Sequence, residues 1–241
     1  MTGGWRAGLE RLIARAYARG YDRVVESFAP YEALRSDVAG YVQRSAPPGA
    51  AVIDVACGIG NVCLHLGAMG YAVRGFDPVA TLVDAARAKH RAAGAASDVR
   101  FEALDVAQHP VPGAGTFDVL VSMNTLYWHP NPDGLLRAGR AALRPGGHAV
   151  LVTYTRRARV ARTVREVAAR DGVPAGLAAL RWLVPTAAFE LARDFAPRYP
   201  SRPALRAMIE AAGFEVLDER DAFLAGLCRL VWARASRQVS V

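Results

Sequence analysis

One short segment, residues 52–61, constrains the fold of this chain more than any other part of the sequence. It starts with the β-branched, apolar residues of a buried strand and runs through Gly58 and Gly60 into a helical stretch. Glycine lets the backbone turn sharply and approach a ligand closely. A strand, a glycine turn and a helix in this order form the nucleotide-binding corner of a doubly wound α/β sheet. Glycine turns are common, so this pattern gains its weight from the segments that follow it.

Three further strands are predicted at 71–76, 99–104 and 117–123, and they end at Asp77, Asp105 and Asn124. The carboxyl ends of parallel strands lie at one edge of the sheet, where open α/β folds bind their ligands. A carboxylate at the tip of the second strand is placed to accept both ribose hydroxyls of an adenosine. A break at 144–147, Arg-Pro-Gly-Gly, precedes a fifth predicted strand at 148–154.

Taken together, these segments resemble the class I S-adenosylmethionine-dependent methyltransferases, closely over residues 50–154 and loosely elsewhere. The matching segments are 54–60, 75–78, 104–106, 124–132 and 143–147. The resemblance implies an α/β fold: a doubly wound, seven-stranded, mostly parallel Rossmann-like sheet with an antiparallel last strand, plus a helical cap. It also implies S-adenosyl-L-methionine as the cofactor.

The resemblance further implies a set of cofactor-binding residues. They are Tyr21, Asp54, Ala56, Gly58, Gly60, Asp77, Pro78, Asp105, Val106, Met123 and Asn124. By this resemblance Asp54 orients the glycine loop and the amino group of the methionine moiety, and Asp77 holds the ribose. Asp105 and the Val106 amide meet the adenine, while the backbone at 123–124 lies near the sulfonium. The chain departs from the family at Ala56, where glycine is usual.

Two other nucleotide-binding classes fit the glycine loop less well. A dehydrogenase fingerprint requires a third glycine before the helix closes on the strand, and residues 56–63 lack it. The sequence has no Gly-Lys-Ser/Thr run for binding ATP or GTP. A relic of the fold without a cofactor stays open as an alternative.

The length of 241 residues predicts a single α/β domain over 1–241, and the resemblance implies that it is a methyltransferase domain. Within it we expect a cofactor-binding core at 50–154 and a C-terminal helix with the last two strands at 201–241. Helical cap segments are expected at 5–46, where apolar residues recur at helical spacing, and at 155–200, where glycine and proline break up helical runs.

The sequence shows neither a run of about 20 apolar residues nor a signal peptide. Its three cysteines are odd in number and lack the paired spacing of a metal site, so we expect a cytoplasmic protein without a metal.

The net charge of +8 does not by itself predict nucleic-acid binding. Lys89 is the single lysine, and such an arginine- and alanine-rich composition is typical of a GC-rich coding bias. The arginines are dispersed, except for a cluster at 156–165, whereas nucleic-acid binders concentrate them with aromatic residues or in a known module. The cluster is interpreted as a solvated helix face, with an electropositive rim for an acidic substrate as the alternative.

The two cap segments are expected to select the acceptor, because in the resembled fold they arch over the methyl donor. The candidate acceptor contacts are aromatic: Tyr17, Tyr31, Tyr127, Trp128 and Trp182. Aromatic and apolar walls suit a small organic acceptor. His129 is the candidate general base, because it follows the fourth strand and histidine is a common general base in enzymes. The alternative is that His129 caps the turn before Pro130.

The sequence therefore predicts methyl transfer to a small-molecule acceptor through an O, N or C nucleophile, in biosynthetic or specialised metabolism. We expect no nucleic-acid partner, no membrane partner, and a monomer or homodimer. Two alternatives stay open: a methyltransferase acting on lipid headgroups at a membrane surface, and a non-methylating protein that binds the cofactor.

Overall fold

The computed structural model describes residues 20–192 and 198–236. Its strands are β1 (Ala51–Val55), β2 (Ala72–Asp77), β3 (Val99–Ala103), β4 (Phe117–Met123), β5 (Leu143–Tyr154), β6 (Phe214–Ala222) and β7 (Cys228–Ala235). Residues 20–25 are helical. The helices that follow are α1 (Ala29–Ser45), α2 (Asn61–Ala68), α3 (Ala80–Ala92), α4 (Pro132–Ala142), α5 (Val160–Asp171), α6 (Val173–Ala178), α7 (Leu180–Ala192) and α8 (Arg202–Ala211).

The strands form one seven-stranded sheet in the order β3–β2–β1–β4–β5–β7–β6. The pairs β3–β2, β2–β1, β1–β4 and β4–β5 are parallel, whereas β7 runs antiparallel to both β5 and β6. The predicted doubly wound sheet with an antiparallel last strand is confirmed. The strand order reverses between β1 and β4, and this switch point opens a crevice at the carboxyl ends of the strands.

The fifth strand begins at Leu143, five residues earlier than the sequence predicts. Phe117 of β4 pairs with Leu143, and the next pair joins Val119 to His148. The predicted break at 144–147 is therefore an irregularity inside the strand, and Gly146 turns it with a φ of +76°. The prediction that the strand starts at His148 is wrong, because its pairing with β4 already begins at Leu143, before the two glycines.

Helices cover both faces of the sheet because its central strands are apolar on both sides. Successive residues alternate between the faces: Val52 and Val119 belong to one buried cluster, and Ile53 and Leu120 to the other. The first cluster includes residues of α1, α2 and α3, and the second includes residues of α4 and α8. Two apolar layers thus hold the crevice edge rigidly between helices.

The two predicted cap segments are mostly helical where the structure describes them, and they meet at Trp182 of α7. The ring of Trp182 lies 5.6 Å from that of Tyr21 in the helical segment 20–25 and 6.0 Å from that of Tyr31 in α1, measured between centroids. Nε of Arg181 donates to the carbonyl of Arg23 at 3.1 Å. Helix α7 therefore packs against the N-terminal segment. The exact bounds of the cap segments stay predictions.

Candidate active site

The loop after β1 contains three residues in the left-handed region of backbone space. Ala56 has a φ of +59°, Gly58 of +56° and Gly60 of +77°. Gly60 is required for two reasons. Its φ is positive, and a Cβ atom there would lie 2.6 Å from the ring of Phe101. For an L-residue such as Ala56, the left-handed conformation costs about 1–2 kcal/mol. This strain explains why glycine is usual at position 56 in the family that the sequence resembles.

Asp77 ties this loop to the end of β2. One carboxylate oxygen accepts the amide hydrogen of Gly58 at 2.9 Å, and the other accepts that of Val79 at 2.9 Å. The residue is buried. Burial raises the pKa of Asp77, and the nearby Asp105 carboxylate adds to the rise, while the two amide hydrogen bonds oppose it. Each carboxylate oxygen keeps a second lone-pair direction that a ligand hydroxyl can use.

Asp54 lies in β1 beneath the same loop and is 2 % exposed. Its carboxylate accepts the thiol hydrogen of Cys63 at 3.2 Å. Burial raises the pKa of Asp54 to about 7, and the charge of Asp77 contributes to the increase, while the thiol hydrogen bond opposes it. A cation at this position would favour the ionised form of Asp54. No local pattern in the sequence predicts the Cys63 contact, which depends on how α2 packs on the sheet.

A cavity of about 180 Å³ lies beside the loop. Its lining residues follow β1, β2 and β3 or come from the loop between β4 and α4 and the first turn of α4: Ala56, Pro78, Leu104, Asp105, Val106, Trp128, His129, Pro130 and Leu135. The wall is mostly apolar and has one carboxylate, that of Asp105, which also accepts the amide of Ala107 at 3.0 Å. A flat purine with an exocyclic amino group suits such a lining. The residues present therefore fit the adenosine part of S-adenosylmethionine.

The end of β4 is held rigidly at Asn124, whose φ is +58°. Its amide donates to the carbonyl of Val152 at 2.7 Å, and its carbonyl accepts the indole hydrogen of Trp128 at 2.8 Å. The thiol of Cys228 donates to its side-chain oxygen at 3.5 Å. Asparagine tolerates the left-handed region better than most residues do. The backbone at Met123 and Asn124 thus keeps a fixed shape at the sheet edge.

His129 is buried and lies in the wall of the cavity that contains Asp105 and Val106. Its Nδ1 accepts the amide hydrogen of Asn131 at 3.1 Å, so the neutral ring carries its proton on Nε2. Acting as a base would require Nδ1 to release the amide of Asn131, either to accept the proton itself or to take the ring proton so that Nε2 becomes free. The turn cap that the sequence left open as an alternative is thus present, and the base role stays a prediction.

An aromatic cluster from both cap segments borders the site. Tyr31 and Trp182 are buried, and the indole of Trp182 donates to the hydroxyl of Tyr154 at 2.8 Å. Tyr127 is half-buried, with its ring centroid 4.9 Å from that of Tyr154. Tyr21 and Trp128 are also half-buried. Tyr17 lies outside the described residues, and the contacts of all these rings with an acceptor stay predictions.

The turn between β6 and β7 is a feature that the sequence did not reveal. Four consecutive residues, Phe223 to Gly226, have positive φ angles. Nη2 of Arg156 donates to the carbonyl of Ala225 at 3.0 Å, and the ring of Phe223 packs edge-on against Trp182 at 5.0 Å. The turn therefore supports the aromatic cluster. Gly226 is its one sequence signal, since phenylalanine and leucine rarely adopt this conformation.

The arginine cluster at 156–165 agrees with the prediction of a solvated helix face, as far as the partners of its arginines are described. Arg156 and Arg162 both pair with Glu166, at 2.7 and 2.8 Å. These hydrogen bonds lower the pKa of the Glu166 carboxyl. Exposed pairs of this kind contribute little to stability.

Comparisons with known proteins agree with this geometry. A family described as a methyltransferase domain matches residues 19–219. The ubiquinone biosynthesis O-methyltransferase of Xanthomonas axonopodis pv. citri (strain 306) is 34% identical over 129 residues, which is 53% of this chain and 53% of that protein. The chain spans about half the length of the curated relatives it matches.

Two solved structures share the fold over most of both chains. Magnesium protoporphyrin IX methyltransferase (ChlM) from Synechocystis PCC 6803 with bound SAH has a TM-score of 0.64 at 16% identity, covering 94% of this chain and 99% of that one. The [4+2]-cyclase SpnF has a TM-score of 0.65 at 18% identity, covering 94% and 96%.

These findings define the class of protein. The fold is that of the class I S-adenosylmethionine-dependent methyltransferases, as the sequence predicts. Because the match spans residues 19–219, the chain belongs to the methyltransferase-domain family, and its cofactor is S-adenosylmethionine.

Proposed function

We propose that this protein transfers the methyl group of S-adenosylmethionine to a small organic acceptor. The observation that carries the proposal is the grouping of Asp54, Asp77 and Asp105 around one glycine loop, beside a mostly apolar cavity at the switch point of the sheet. The three carboxylates suit the amino, ribose and adenine groups of the cofactor, in that order. The half-length match to ubiquinone biosynthesis O-methyltransferases supports a small-molecule acceptor and is consistent with a hydroxyl nucleophile.

When bound, the cofactor supplies an activated sulfonium methyl group, so the protein needs mainly to hold the acceptor in line with it. Positioning of this kind can contribute roughly 7–11 kcal/mol to lowering the barrier. The rigid backbone at Asn124 and the aromatic cluster around Trp182 are the parts of this chain suited to that task. The aromatic rings also exclude water from the acceptor side.

The acceptor would enter beneath the cap, whose two segments we propose as the elements that select it. Tyr21, Tyr31 and Trp182 bring both segments together at one point. Tyr127 lies on the chain that follows β4 and completes the proposed acceptor wall, whereas Trp128 lines the cavity that suits the adenosine part of the cofactor. A flat, partly apolar acceptor matches such a surface better than a highly charged one.

A non-methylating reaction is the second candidate function, and one observation favours it. The chain shares its fold with a [4+2]-cyclase. A lipid-headgroup acceptor stays a less supported alternative. Across the described ranges, no helix has both the length and the apolar character of a membrane span.

A titration followed by an acceptor screen tests the proposal. Isothermal titration calorimetry should show binding of S-adenosylmethionine and S-adenosylhomocysteine. An acceptor panel of phenols, catechols and heteroaromatic amines should then yield a product heavier by one CH₂ unit, with one equivalent of S-adenosylhomocysteine. Conversion of a compound without a mass change or S-adenosylhomocysteine release would favour the second candidate. An acceptor found only in vesicle-bound lipid would favour the lipid alternative.

A further inference from the structure

Lys89 connects two parts of the site that are distant in sequence. It lies in α3, and its side chain is 28 % exposed. Its Nζ is 2.6 Å from a carboxylate oxygen of Asp22, in the helical segment 20–25. The same Nζ donates to the side-chain oxygen of Asn61, the first residue of α2. One ammonium group therefore bridges the cap and the helix that opens at the cofactor loop.

Both ends of this bridge lie next to residues of the proposed site. Asn61 directly follows Gly60, whose left-handed conformation ends the glycine loop. Asp22 directly follows Tyr21, whose ring packs against Trp182 and Tyr31. Helix α3 itself packs beneath the loop, because a Cβ atom on Gly60 would lie 3.0 Å from that of Ala86, one turn before Lys89. The lysine is thus anchored on a support that is rigid relative to the loop.

The residue type matters at this position. Among the 30 lysines and arginines of the chain, Lys89 is the one lysine. An ammonium group is a compact point charge with three rotatable donors, which can reach oxygens on two different helices. A guanidinium group is planar and larger, and its fork geometry suits a single carboxylate. The convergence of Asp22 and Asn61 on one nitrogen therefore favours lysine over arginine.

We propose that Lys89 is a positioning residue that couples the cofactor loop to the N-terminal part of the cap. The inference rests on the proposed function, since it concerns the same site. The contact of Lys89 with Asn61 and Asp22 is already formed in the structure, and it holds Tyr21 against Trp182; a cofactor bound against the loop stabilises this contact further. By thermodynamic reciprocity, an ordered cap then strengthens cofactor binding by the same factor.

Substitutions at Lys89 test the coupling without any acceptor. Lys89→Met keeps the aliphatic stem and removes the charge, and Lys89→Arg keeps the charge and changes its shape. Arg91→Met is the matched control: it removes a cation from an exposed position on the same helix. Calorimetry measures affinity for S-adenosylhomocysteine, and hydrogen–deuterium exchange follows residues 20–28 with and without it.

Lys89→Met should weaken binding by about two- to fivefold, the range that an incompletely buried ion pair supports. It should also abolish the ligand-induced protection of residues 20–28. Lys89→Arg should also lack the ligand-induced protection of residues 20–28. Arg91→Met should behave like the unsubstituted protein. Asp22→Asn should reproduce the effect, and the double variant Asp22→Asn/Lys89→Met should add nothing to either single change, because both remove one contact.

Several outcomes would overturn the coupling. These are full ligand-induced protection of residues 20–28 in Lys89→Met, the same full protection in Lys89→Arg, or additive losses of affinity in the double variant. If Lys89→Met fails to fold, Asp22→Asn alone decides the matter by the same two measurements. A protein that binds S-adenosylhomocysteine and shows the coupling, yet methylates nothing, would contradict the proposed function and leave this inference intact. Absence of binding in the unsubstituted protein would overturn both.

Discussion

The carboxylate of Asp77 accepts the amide hydrogen of Gly58 at 2.9 Å, across a separation of 19 residues. This bond joins the tip of β2 to the glycine loop that follows β1. The residue predicted to bind the ribose therefore also fixes the loop that packs beside it. A second bond, to the amide of Val79, fixes the start of the chain leading into α3. One buried carboxylate thus shapes the site even before a ligand is bound.

Substitution of Asp77 should lower both cofactor affinity and stability. Asp77→Ala is expected to weaken S-adenosylmethionine binding by about 1–3 kcal/mol, the range of lost hydrogen bonds to a charged group. Its melting temperature should fall as well, because the amides of Gly58 and Val79 lose their acceptor. Calorimetry and thermal unfolding measure the two effects, with Asp84→Asn, an exposed carboxylate on α3, as the control. Unchanged affinity in a folded Asp77→Ala protein would contradict the ribose assignment.

The left-handed conformation of Ala56 predicts an unusual response to glycine. Relief of about 1–2 kcal/mol of backbone strain competes with an entropy cost of about 0.5–1 kcal/mol, so Ala56→Gly should be neutral or stabilising. Ala207→Gly, at an exposed position inside α8, should instead destabilise by about 1 kcal/mol. Urea unfolding compares the two variants. Equal destabilisation by both would mean that Ala56 carries no strain, and loss of cofactor binding in Ala56→Gly would show that its methyl group makes a needed contact.

The strand ends and the glycine loop were predictable from sequence because each depends on a local pattern. Gly58, Asp77 and Asp105 follow apolar runs directly, and parallel strands bring such ends to one edge. The strain at Ala56 was not predictable from its residue type alone, since alanine fits a helix, a strand or a turn. The early start of β5 was missed because Gly146 and Gly147 indicate a break, although Leu143 already pairs with Phe117.

The contacts that define the site depend on packing between distant segments. Lys89 and Asp22 are 67 residues apart, and no local pattern connects them. The Cys63 thiol reaches Asp54 only because α2 folds back on β1. The left-handed turn at 223–226 contains one glycine, so its other three residues are fixed by their burial and by Arg156 rather than by propensity. In each case, packing between distant segments determines the contact or conformation, and the local sequence preference does not.

The raised pKa of Asp54 predicts a pH dependence of stability in the ligand-free protein. The folded state holds a proton on Asp54 up to about pH 7, whereas the unfolded chain releases it near 3.8. Because the folded state binds more protons in that window, the free energy of unfolding should fall as pH rises from about 4 to 7. Asp54→Asn, which resembles the protonated form, should lose this slope. Parallel curves for the two proteins in urea unfolding between pH 5 and 8 would contradict the assignment, and bound S-adenosylmethionine should flatten the slope by favouring the ionised form.

The cap should exchange its amide hydrogens faster than the sheet in the ligand-free protein. Val173, Leu177 and Val184 of α6 and α7 are more than half exposed, so these helices bury less apolar surface than β4 does. Substrate must also enter beneath the cap. Hydrogen–deuterium exchange should show fast exchange over 160–188 that slows when S-adenosylhomocysteine binds, with the amides of β4 as internal reference. Equal protection of cap and sheet without ligand would contradict this expectation.

The hydrogen bond from the Asn131 amide to Nδ1 of His129 allows the base role to be tested against a structural one. Because Nδ1 is occupied, we expect His129→Ala to act mainly on the cofactor. It removes part of the cavity wall near Asp105, and affinity for S-adenosylmethionine should fall by about 1 kcal/mol, the order of a lost apolar contact. Turnover at saturating cofactor should then change far less than the roughly 10²-fold or more of a lost general base.

His109→Ala, at an exposed position, serves as the control for removing an imidazole. The opposite split, a hundredfold loss of kcat with unchanged cofactor affinity, would establish His129 as the base and would require its ring to leave Asn131 during the reaction.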